Sequence, residues 1–517
     1  MAIRAPYLPI VYVRGYAARM DEIEDTVATP YMGFNLGATK LRQDHDGKPL
    51  RWIFESPLIR LMKDHGYMDA YADGDFLSEP GGAPVRSVWI FRYYEPVSES
   101  LGEGDRRTLP ELAAHLRRFL LHTVRPAVCG DDPDLLADFR VHLVAHSMGG
   151  LLCRTYLQNL CHKGTGDPQR DEALELPGDP LVERVFTYAT PHSGIDLEGV
   201  NVPDLGTWDK WHIRSFNRDV MRDYLDLPGG TERLDSLNGR FPPERFFCLV
   251  GTNYKDYRAF HGLSARATGP MSDGLVMIRN ATVRDAPRAF VHRSHSGDYG
   301  IVNSEEGYQN LRRFLFGEVR VDARLHAEEI TLPRPVQEKK DAGHAVRASY
   351  HIDSAVSLRN ATCFLHERRS EHGSALLKSY DAWVKEGRPA YLFSGFLMRA
   401  GKGRDQGDTA LAFALHVAVR VPVYEVDNRF WLDGHFEGGP VLQDTVTVHV
   451  RPDGRKTTIA YGLASRDGLG EARRRAGVQW ETEQTARVRF PLGFAEDQRR
   501  VKRPGFRGHL AIDVHVR

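Results

Sequence analysis

The strongest chemical signal in the sequence is Ser147, which lies at a predicted turn between a strand and a helix. Residues 141–144 form a short apolar run typical of a buried strand, and apolar residues recur at helical spacing over residues 151–160. Such a turn exposes the serine hydroxyl to a base, and the small residues Ala145 and Gly149 let the strand and the helix approach closely. The pattern predicts attack of the hydroxyl on a carbonyl carbon.

The elements around this turn predict a parallel sheet. Residues 9–16 form an apolar strand stopped by a glycine, residues 85–94 form a second strand, and Thr108 and Glu111 form a capping box before an amphipathic helix. Strands that alternate with helices in this way are typical of parallel α/β sheets. Acid and histidine candidates follow Ser147 in the order Ser, Asp, His, which is one known chain order of a catalytic triad.

Two short motifs give the sequence a resemblance to a known family. Ala-His-Ser-Met-Gly-Gly at residues 145–150 looks like the bacterial-lipase form of the nucleophile turn, with Ala145 where the usual motif has glycine. Ala-Thr-Pro-His-Ser-Gly at residues 189–194 resembles a strand end of lipase-like α/β-hydrolases, one strand beyond the nucleophile. Over about residues 7 to 317 the chain resembles lipase-like serine esterases of the α/β-hydrolase superfamily. This resemblance implies an α/β-hydrolase sheet with helices on both faces and a cap insertion.

The resemblance also implies the acid and the base of the site. Ser-Asp-Gly-Leu-Val at residues 272–276 is similar to the acid motif of lipases, which makes Asp273 the predicted acid. The loop before the last helix of the domain looks like the lipase histidine loop, which makes His295 the predicted base. Asp196 is the alternative acid, because some lipases place the acid one strand earlier, and His292 is the alternative base.

Two backbone N–H groups are predicted to bind the oxyanion. In the α/β-hydrolase arrangement one belongs to the residue after the glycine that ends the first strand, here Tyr16. The other belongs to the residue after the nucleophile, here Met148. Many lipases have His-Gly at this strand end, whereas this chain has Arg14 and Gly15. The alternative is that Gly15 is only a turn residue.

Two insertions interrupt the predicted sheet, at residues 17–84 and 195–243. The second contains aromatic residues on a helical stripe, namely Trp208, Trp211, Phe216 and Tyr224. In this fold, as the resemblance implies, lids over acyl pockets are inserted at this point, so we expect these residues to cover Ser147 and to line an apolar pocket. A packed cap helix and a mobile lid both fit the pattern.

The sequence changes character after Gly317. Apolar residues alternate with other residues over 411–423 and 510–516, and few helical patterns occur in this part of the chain. This alternation predicts an all-β sandwich over residues 344–517, following a catalytic domain over residues 1–330. No motif in the sandwich indicates its role, so the sequence identifies no protein partner for it.

Composition excludes several classes of function. Lys and Arg together number 69, as do Asp and Glu, so no global charge attracts nucleic acid. The five cysteines are scattered without a C-x-x-C pair, which indicates reduced core residues and not a disulfide framework or a zinc site. The N-terminal residues lack the layout of a signal peptide, and no apolar run reaches about 18 residues, so we expect a cytoplasmic protein without a spanning helix. Export by a route that reads no N-terminal signal is the alternative.

The predicted chemistry is hydrolysis of a carboxylic ester through an acyl-enzyme, with no metal and no organic cofactor. Lipid or phospholipid acyl esters are the favoured substrates, because the aromatic segment of the second insertion suits a long acyl chain. Such a substrate implies peripheral contact with a membrane. Non-lipid esterase, thioesterase and amidase activities use the same machinery and remain alternatives. Two further alternatives are a bacterial toxin delivered into a target cell and a non-catalytic binding protein on a hydrolase scaffold.

Overall fold

The chain folds into two compact units. The computed structural model describes residues 5–15, 17, 20–43, 49–72, 75–102, 107–197, 200–201, 216–231, 233–257, 268–358, 361, 363–398, 411–426, 434–451, 457–482, 484–493 and 505–517. The first unit comprises Met1–Arg288 and Arg293–Phe316, and the second comprises Ala289–His292 and Gly317–Arg517. Each unit is described separately below.

The first unit is organised by a parallel sheet. Its strands in chain order are β1 (Ile10–Val13), β2 (Met68–Asp69), β3 (Ser87–Ile90), β4 (Val141–His146), β5 (Val182–Tyr188) and β6 (Phe246–Gly251). They lie in the order β6-β5-β4-β1-β3-β2, and all of these pairings are parallel. The strand β7 (Arg288–Val291) follows β6 in the chain, and its residues from Ala289 onward belong to the second unit. Every residue of β1 is buried, as is all of β4 up to His146, which explains the continuous apolar runs in the sequence.

Helices cover both faces of this sheet. They are α1 (Met20–Val27), α2 (Pro57–His65), α3 (Leu109–Phe119), α4 (Arg125–Cys129), α5 (Pro133–Ala137), α6 (Met148–Thr155), α7 (Cys161–Lys163), α8 (Pro168–Ala173), α9 (Arg218–Tyr224) and α10 (Glu305–Phe316). The chain crosses the sheet in one direction from β1 to β2 and in the other from β2 to β6. Because crossovers are right-handed, these two directions place the connecting helices on opposite faces.

Contacts between the helices agree with this division. The helices α3 and α6 pack against each other, whereas Arg60 of α2 donates a 2.7 Å hydrogen bond to Glu305 of α10. The predicted parallel sheet with helices on both faces is thus confirmed. Among the described residues, no helix is both long and apolar enough to span a membrane.

The first insertion, at residues 17–84, contributes one strand to the main sheet. It contains α1, α2 and a two-stranded hairpin of Ala38–Gln43 and Pro49–Phe54. It also contains β2, whose residues Met68 and Asp69 pair with β3 at the edge of the main sheet. The sequence analysis did not identify this strand. Two residues are too few to show the period-2 alternation by which strands are recognised.

The second unit is an antiparallel β-sandwich. Its strands are β8 (Val319–Thr331), β9 (Val346–Leu358), β10 (Phe364–Arg368), β11 (Leu376–Ser379), β12 (Ala390–Leu397), β13 (Leu411–Val426), β14 (Gly434–Arg451), β15 (Thr458–Leu463), β16 (Arg474–Arg475), β17 (Val478–Trp480), β18 (Thr485–Gly493) and β19 (Gly505–Val516). One sheet has the order β12-β8-β19-β18-β17, and the other has the order β10-β9-β13-β14-β15-β16 with β11 paired to β9. The helices α11 (Arg334–Asp341) and α12 (Ala464–Asp467) lie between strands.

The two sheets of this unit share one hydrophobic core. Val321 and Leu325 of β8, Val417 of β13 and Val448 of β14 are all buried in it, together with Trp383. Alternate residues of β13 from Leu411 to Val421 face this core, which is the pattern that the sequence showed. The predicted all-β region is confirmed.

The boundary between the units differs from the predicted one. The predicted catalytic domain ends at residue 330, whereas the second unit resumes at Gly317, immediately after α10. Val319–Thr331 is the strand β8, which pairs with β12 and β19 in the middle of the five-stranded sheet. Its alternating apolar residues were visible in the sequence, but a single strand does not reveal which sheet it joins.

Candidate active site

Ser147 occupies a strained turn between β4 and α6. Its φ is 52° and its ψ is −124°, a left-handed conformation that costs a non-glycine residue free energy and is typical of functional sites. The Ser147 N–H donates to the carbonyl of Tyr188 on the neighbouring strand at 2.9 Å, which holds the turn in place. A Cβ atom at Gly149 would lie 2.4 Å from the carbonyl oxygen of Val13. Only glycine fits there, as the predicted close approach of strand and helix requires.

The structure brings Ser147, His295 and Asp273 together in one hydrogen-bonded chain. His295 Nε2 lies 2.9 Å from Ser147 Oγ, and His295 Nδ1 lies 2.9 Å from Asp273 Oδ2. Because a carboxylate only accepts, Nδ1 carries the proton and Nε2 is left to accept the proton of the serine hydroxyl. The three residues are at most 5% exposed. This is the arrangement in which an imidazole can act as a general base towards a serine.

The loop after β6 and before β7 holds the Asp273 carboxylate in place. Asp273 Oδ1 accepts the N–H groups of Leu275 at 3.0 Å and Val276 at 2.7 Å, so one oxygen is bound by the loop and the other faces His295. Gly274 has a φ of 99°, and a Cβ atom there would lie 2.3 Å from Cβ of Tyr257. The Asp-Gly pair is therefore needed both for the turn and for the packing of Tyr257.

Asp196, the alternative acid, has a different role. Its carboxylate accepts hydrogen bonds from Arg218 at 2.8 Å, Asn280 at 2.9 Å and Arg279 at 3.1 Å. Burial alone would raise its pKa, but the hydrogen bonds from Asn280 and Arg279 and the charge of Arg218 lower the pKa below its usual value. Asp196 thus ties the start of the second insertion to α9 and to the loop at residues 278–280.

His292, the alternative base, also has another partner. It belongs to the second unit, in which its ring stacks on the ring of His372 with centroids 3.8 Å apart. The imidazole within hydrogen-bonding distance of the Ser147 hydroxyl is that of His295. The geometry therefore favours His295 over His292 as the base.

The oxyanion-hole residues are described in part. Met148, the first residue of α6, is fully buried, and the N–H groups of the first turn of a helix have no partner within the helix. Tyr16 lies outside the described residues. Gly15 is described, and a Cβ atom at this position would lie 2.7 Å from Cβ of Ser147. This close approach gives Gly15 a role beyond that of an ordinary turn residue, because a side chain there would displace the nucleophile.

Two of the four predicted pocket residues, Phe216 and Tyr224, are among the described residues. Trp208 and Trp211 lie outside the described residues. Phe216 is 4% exposed. Its carbonyl oxygen packs against Gly194, in the turn after β5, where an added Cβ atom would lie 2.9 Å from that oxygen.

Tyr224 lies at the end of α9. Its carbonyl accepts a hydrogen bond from Asn159 at 3.3 Å, and Asn159 belongs to the helical segment that begins just after Ser147. The predicted role of Tyr224 in a pocket at Ser147 stays a prediction.

Four of the five cysteines lie in the interior of the first unit. Cys129, Cys153, Cys161 and Cys248 are buried free thiols. Burial raises the pKa of the Cys248 thiol to about 11, so this group is protonated at neutral pH. Within the described part of the chain, no group of His, Cys, Asp and Glu side chains could hold a metal ion.

Tyr257 is a neighbour of the site that sequence analysis missed. Its ring meets the His295 ring nearly edge-on, at an interplanar angle of 74° and a centroid distance of 5.5 Å. The same side chain packs on the loop at Gly274, next to Asp273. It is 7% exposed, and burial raises the pKa of its hydroxyl above the usual value. No motif surrounds this residue, so nothing in the sequence could have indicated it.

Replacement of Tyr257 by alanine is expected to lower kcat about tenfold, because the cavity frees both the acid loop and the base to move. Tyr257→Phe keeps the ring and is expected to retain kcat within about threefold. Steady-state kinetics of both variants on one ester test this. Equal losses in the two variants would show that the hydroxyl matters and not the ring packing.

A fully buried arginine connects α6 to the loops around the site. Arg154 is 0% exposed, and its Nη1 donates to the carbonyl of His192 at 2.8 Å. Its Nη2 donates to the carbonyls of Leu234 at 2.8 Å and Ser236 at 2.7 Å, and its Nε donates to Gln158. Burial lowers its pKa to about 10, which leaves it charged at neutral pH. One side chain thus fixes the turn after β5 and the chain that returns to β6.

Arg154→Met is expected to lower the free energy of unfolding by about 3 kcal/mol, because three backbone carbonyls and the amide oxygen of Gln158 each lose one donor. Arg245 provides the matched control, since it is 47% exposed and pairs with Glu183 at the surface. Arg245→Met should lower the free energy of unfolding by less than about 1 kcal/mol. Urea unfolding of the two variants measures both values, and a loss below 1 kcal/mol for Arg154→Met would contradict this role.

Comparisons with known proteins identify similar structures. No protein-family model and no curated protein matches the sequence. A lipase of Bacillus licheniformis in its mature form is 15% identical with a TM-score of 0.30, and the match covers 60% of this chain and 92% of that one. A phospholipase of Legionella pneumophila is 13% identical with a TM-score of 0.33, covering 84% of this chain and 91% of that one. A Staphylococcus hyicus lipase is 14% identical with a TM-score of 0.30, covering 60% and 94%.

Proposed function

We propose that the protein is a serine hydrolase that cleaves carboxylic esters through an acyl-enzyme on Ser147. The observation that supports this most directly is the chain of two 2.9 Å hydrogen bonds from Asp273 through His295 to Ser147. A buried serine in a strained turn, next to a histidine that is oriented by a carboxylate, has the three roles that acyl transfer requires.

The mechanism follows from this geometry. His295 Nε2 takes the hydroxyl proton while Ser147 Oγ attacks the ester carbonyl, and Asp273 stabilises the imidazolium that forms. The N–H groups of Met148 and Tyr16 bind the oxyanion in this proposal. His295 then gives its proton to the leaving alcohol. A water molecule attacks the acyl-enzyme by the same steps, which releases the acid and restores Ser147.

The proposed substrates are lipid or phospholipid acyl esters. The reacting side chains are at most 5% exposed, which favours a substrate group that leaves water readily. The lipase-like motifs around Ser147 and Asp273 also favour this class. Non-lipid esters, thioesters and amides are the alternatives, because the same three residues would hydrolyse each of them.

A series of chromogenic esters of increasing acyl length tests the substrate class. The proposal expects kcat/KM for long acyl chains to exceed that for acetyl by at least about tenfold, because each buried methylene contributes up to about 0.8 kcal/mol. Phospholipid vesicles and matched thioesters and amides complete the series. A preference for acetyl would indicate a small-ester esterase. Absence of hydrolysis together with absence of fluorophosphonate labelling would indicate a binding protein.

A further inference from the structure

The side chain of His146 lies between two parts of the site. It belongs to the last residue of β4, directly before the nucleophile. Its Nε2 lies 2.9 Å from the backbone carbonyl oxygen of His295. Gly15 follows the end of β1, and a Cβ atom added to it would lie 3.0 Å from Nδ1 of His146. The imidazole therefore fills the space between the end of β1 and the loop that carries the base.

The direction of this hydrogen bond follows from its acceptor. A carbonyl oxygen only accepts, so His146 Nε2 carries a proton and donates it. Burial, and then the neighbouring charges of His295 and Arg14, lower the pKa of His146 well below its usual value. At neutral pH the ring is therefore an uncharged donor, with its proton on Nε2.

With this bond, every polar group of His295 has a partner. Its N–H donates to the carbonyl of Asp273 at 3.0 Å, and its carbonyl accepts from His146 at 2.9 Å. Its two ring nitrogens contact Asp273 and Ser147. Because His146 and Ser147 are consecutive residues, the bond from His146 fixes the loop of the base to the nucleophile itself and not only to the sheet.

We propose that His146 is a positioning residue, whose Nε2–H holds the His295 loop so that the imidazole stays within hydrogen-bonding distance of the serine hydroxyl. This inference rests on the proposed function. During acylation His295 becomes positively charged, and the two ring centroids are only 5.0 Å apart. A neutral donor supports the loop without repelling that charge. Position matters here because a displacement of about 1 Å can cost about 100-fold in rate.

Three substitutions separate the donor from the shape of the ring. His146→Leu removes the donor at similar volume, and is expected to lower kcat about 10- to 100-fold while KM changes less than about twofold. His146→Gln places an amide N–H near the position of Nε2, and should retain kcat within about fivefold. His146→Asn carries the same amide on a shorter side chain that does not reach the carbonyl. Its kcat should therefore fall as far as that of His146→Leu.

His192 provides the control for the loss of a buried imidazole. It is 0% exposed, and its Nε2 lies 3.2 Å from the Thr187 hydroxyl and 3.6 Å from Cys248 Sγ. His192→Leu is expected to lower the melting temperature and to leave kcat per folded molecule unchanged. The rate constant for fluorophosphonate labelling should fall in parallel with kcat for His146→Leu and His146→Asn.

Each outcome decides the proposal. A kcat equal to that of the wild type in folded His146→Leu or His146→Asn would overturn the proposal. A loss of kcat in His146→Gln as large as in the other two variants would also overturn it. If His146→Leu does not fold, the comparison of His146→Gln with His146→Asn carries the test. Failure of the wild-type protein to hydrolyse esters and to label would instead overturn the proposed function, and this inference with it.

Discussion

Ser147→Ala is expected to reduce ester hydrolysis at least about a thousandfold, because the Ser147 hydroxyl forms the acyl-enzyme in the proposed mechanism. The melting temperature should stay nearly unchanged, since the hydroxyl donates its hydrogen bond only within the site and alanine keeps the backbone of the turn. Initial rates on the best ester of the acyl-length series, with thermal unfolding of the same preparations, measure both effects.

Ser193 provides a matched control for this substitution. It is 6% exposed, lies in the turn after β5, and its hydroxyl has no hydrogen-bond partner among the described residues. Ser193→Ala should therefore keep full activity. Residual activity of Ser147→Ala above about one thousandth of wild type would point to another nucleophile.

The second large effect is expected for Asp273→Asn, with a loss of kcat of about 10³- to 10⁴-fold. The amide lacks the charge that stabilises the His295 imidazolium, and its NH₂ group can force the wrong tautomer on the ring. The fold should tolerate the change, because the amide oxygen can still accept from the N–H groups of Leu275 and Val276. Single-turnover kinetics separate this loss in the chemical step from a change in substrate binding.

Asp196→Asn is the same substitution at the alternative acid, and the opposite pattern is expected. The variant should keep kcat but lose about 3 kcal/mol of unfolding free energy, because Arg218 and Arg279 lose the charge of a buried partner. If Asp196→Asn lost activity like a triad variant while Asp273→Asn stayed active, the assignment of the acid would be wrong.

The stability effect of Asp196 should depend on pH in a defined direction. Its folded-state pKa lies below the usual value of 3.8, so its contribution is present at pH values above 3.8 and is lost as the pH falls through the folded-state pKa. The difference in unfolding free energy between wild type and Asp196→Asn should therefore narrow below about pH 4. Urea unfolding at pH 7 and at pH 3 tests this, and a constant difference would contradict it.

Local features of the chain were predictable from the sequence. The turn at Ser147 depends on a strand, a helix and the small residues between them, all of which lie within about twenty consecutive residues. The capping box at Thr108 is also local, and it is present in the structure. Asp273 and His295 could be proposed because each lies in a short motif with a defined place in the chain order.

Features that depend on the tertiary fold were not predictable. Tyr257 meets His295 only because two distant loops converge, and the bond from His146 to the His295 carbonyl joins residues about 150 positions apart. A backbone carbonyl leaves no mark in a sequence. The contact of Tyr224 with Asn159 is of the same kind, because an aromatic stripe shows that a helix packs but not what it packs against.

Covalent labelling followed by peptide mass spectrometry tests the central claim most directly. The protein is treated with a fluorophosphonate, digested, and the modified residue is located by fragmentation. The proposed function predicts one phosphonyl adduct per chain, on Ser147, formed at a rate that falls strongly in Asp273→Asn. An adduct on a different serine, or ester hydrolysis that continues in protein fully labelled at Ser147, would contradict the assignment of Ser147 as the nucleophile.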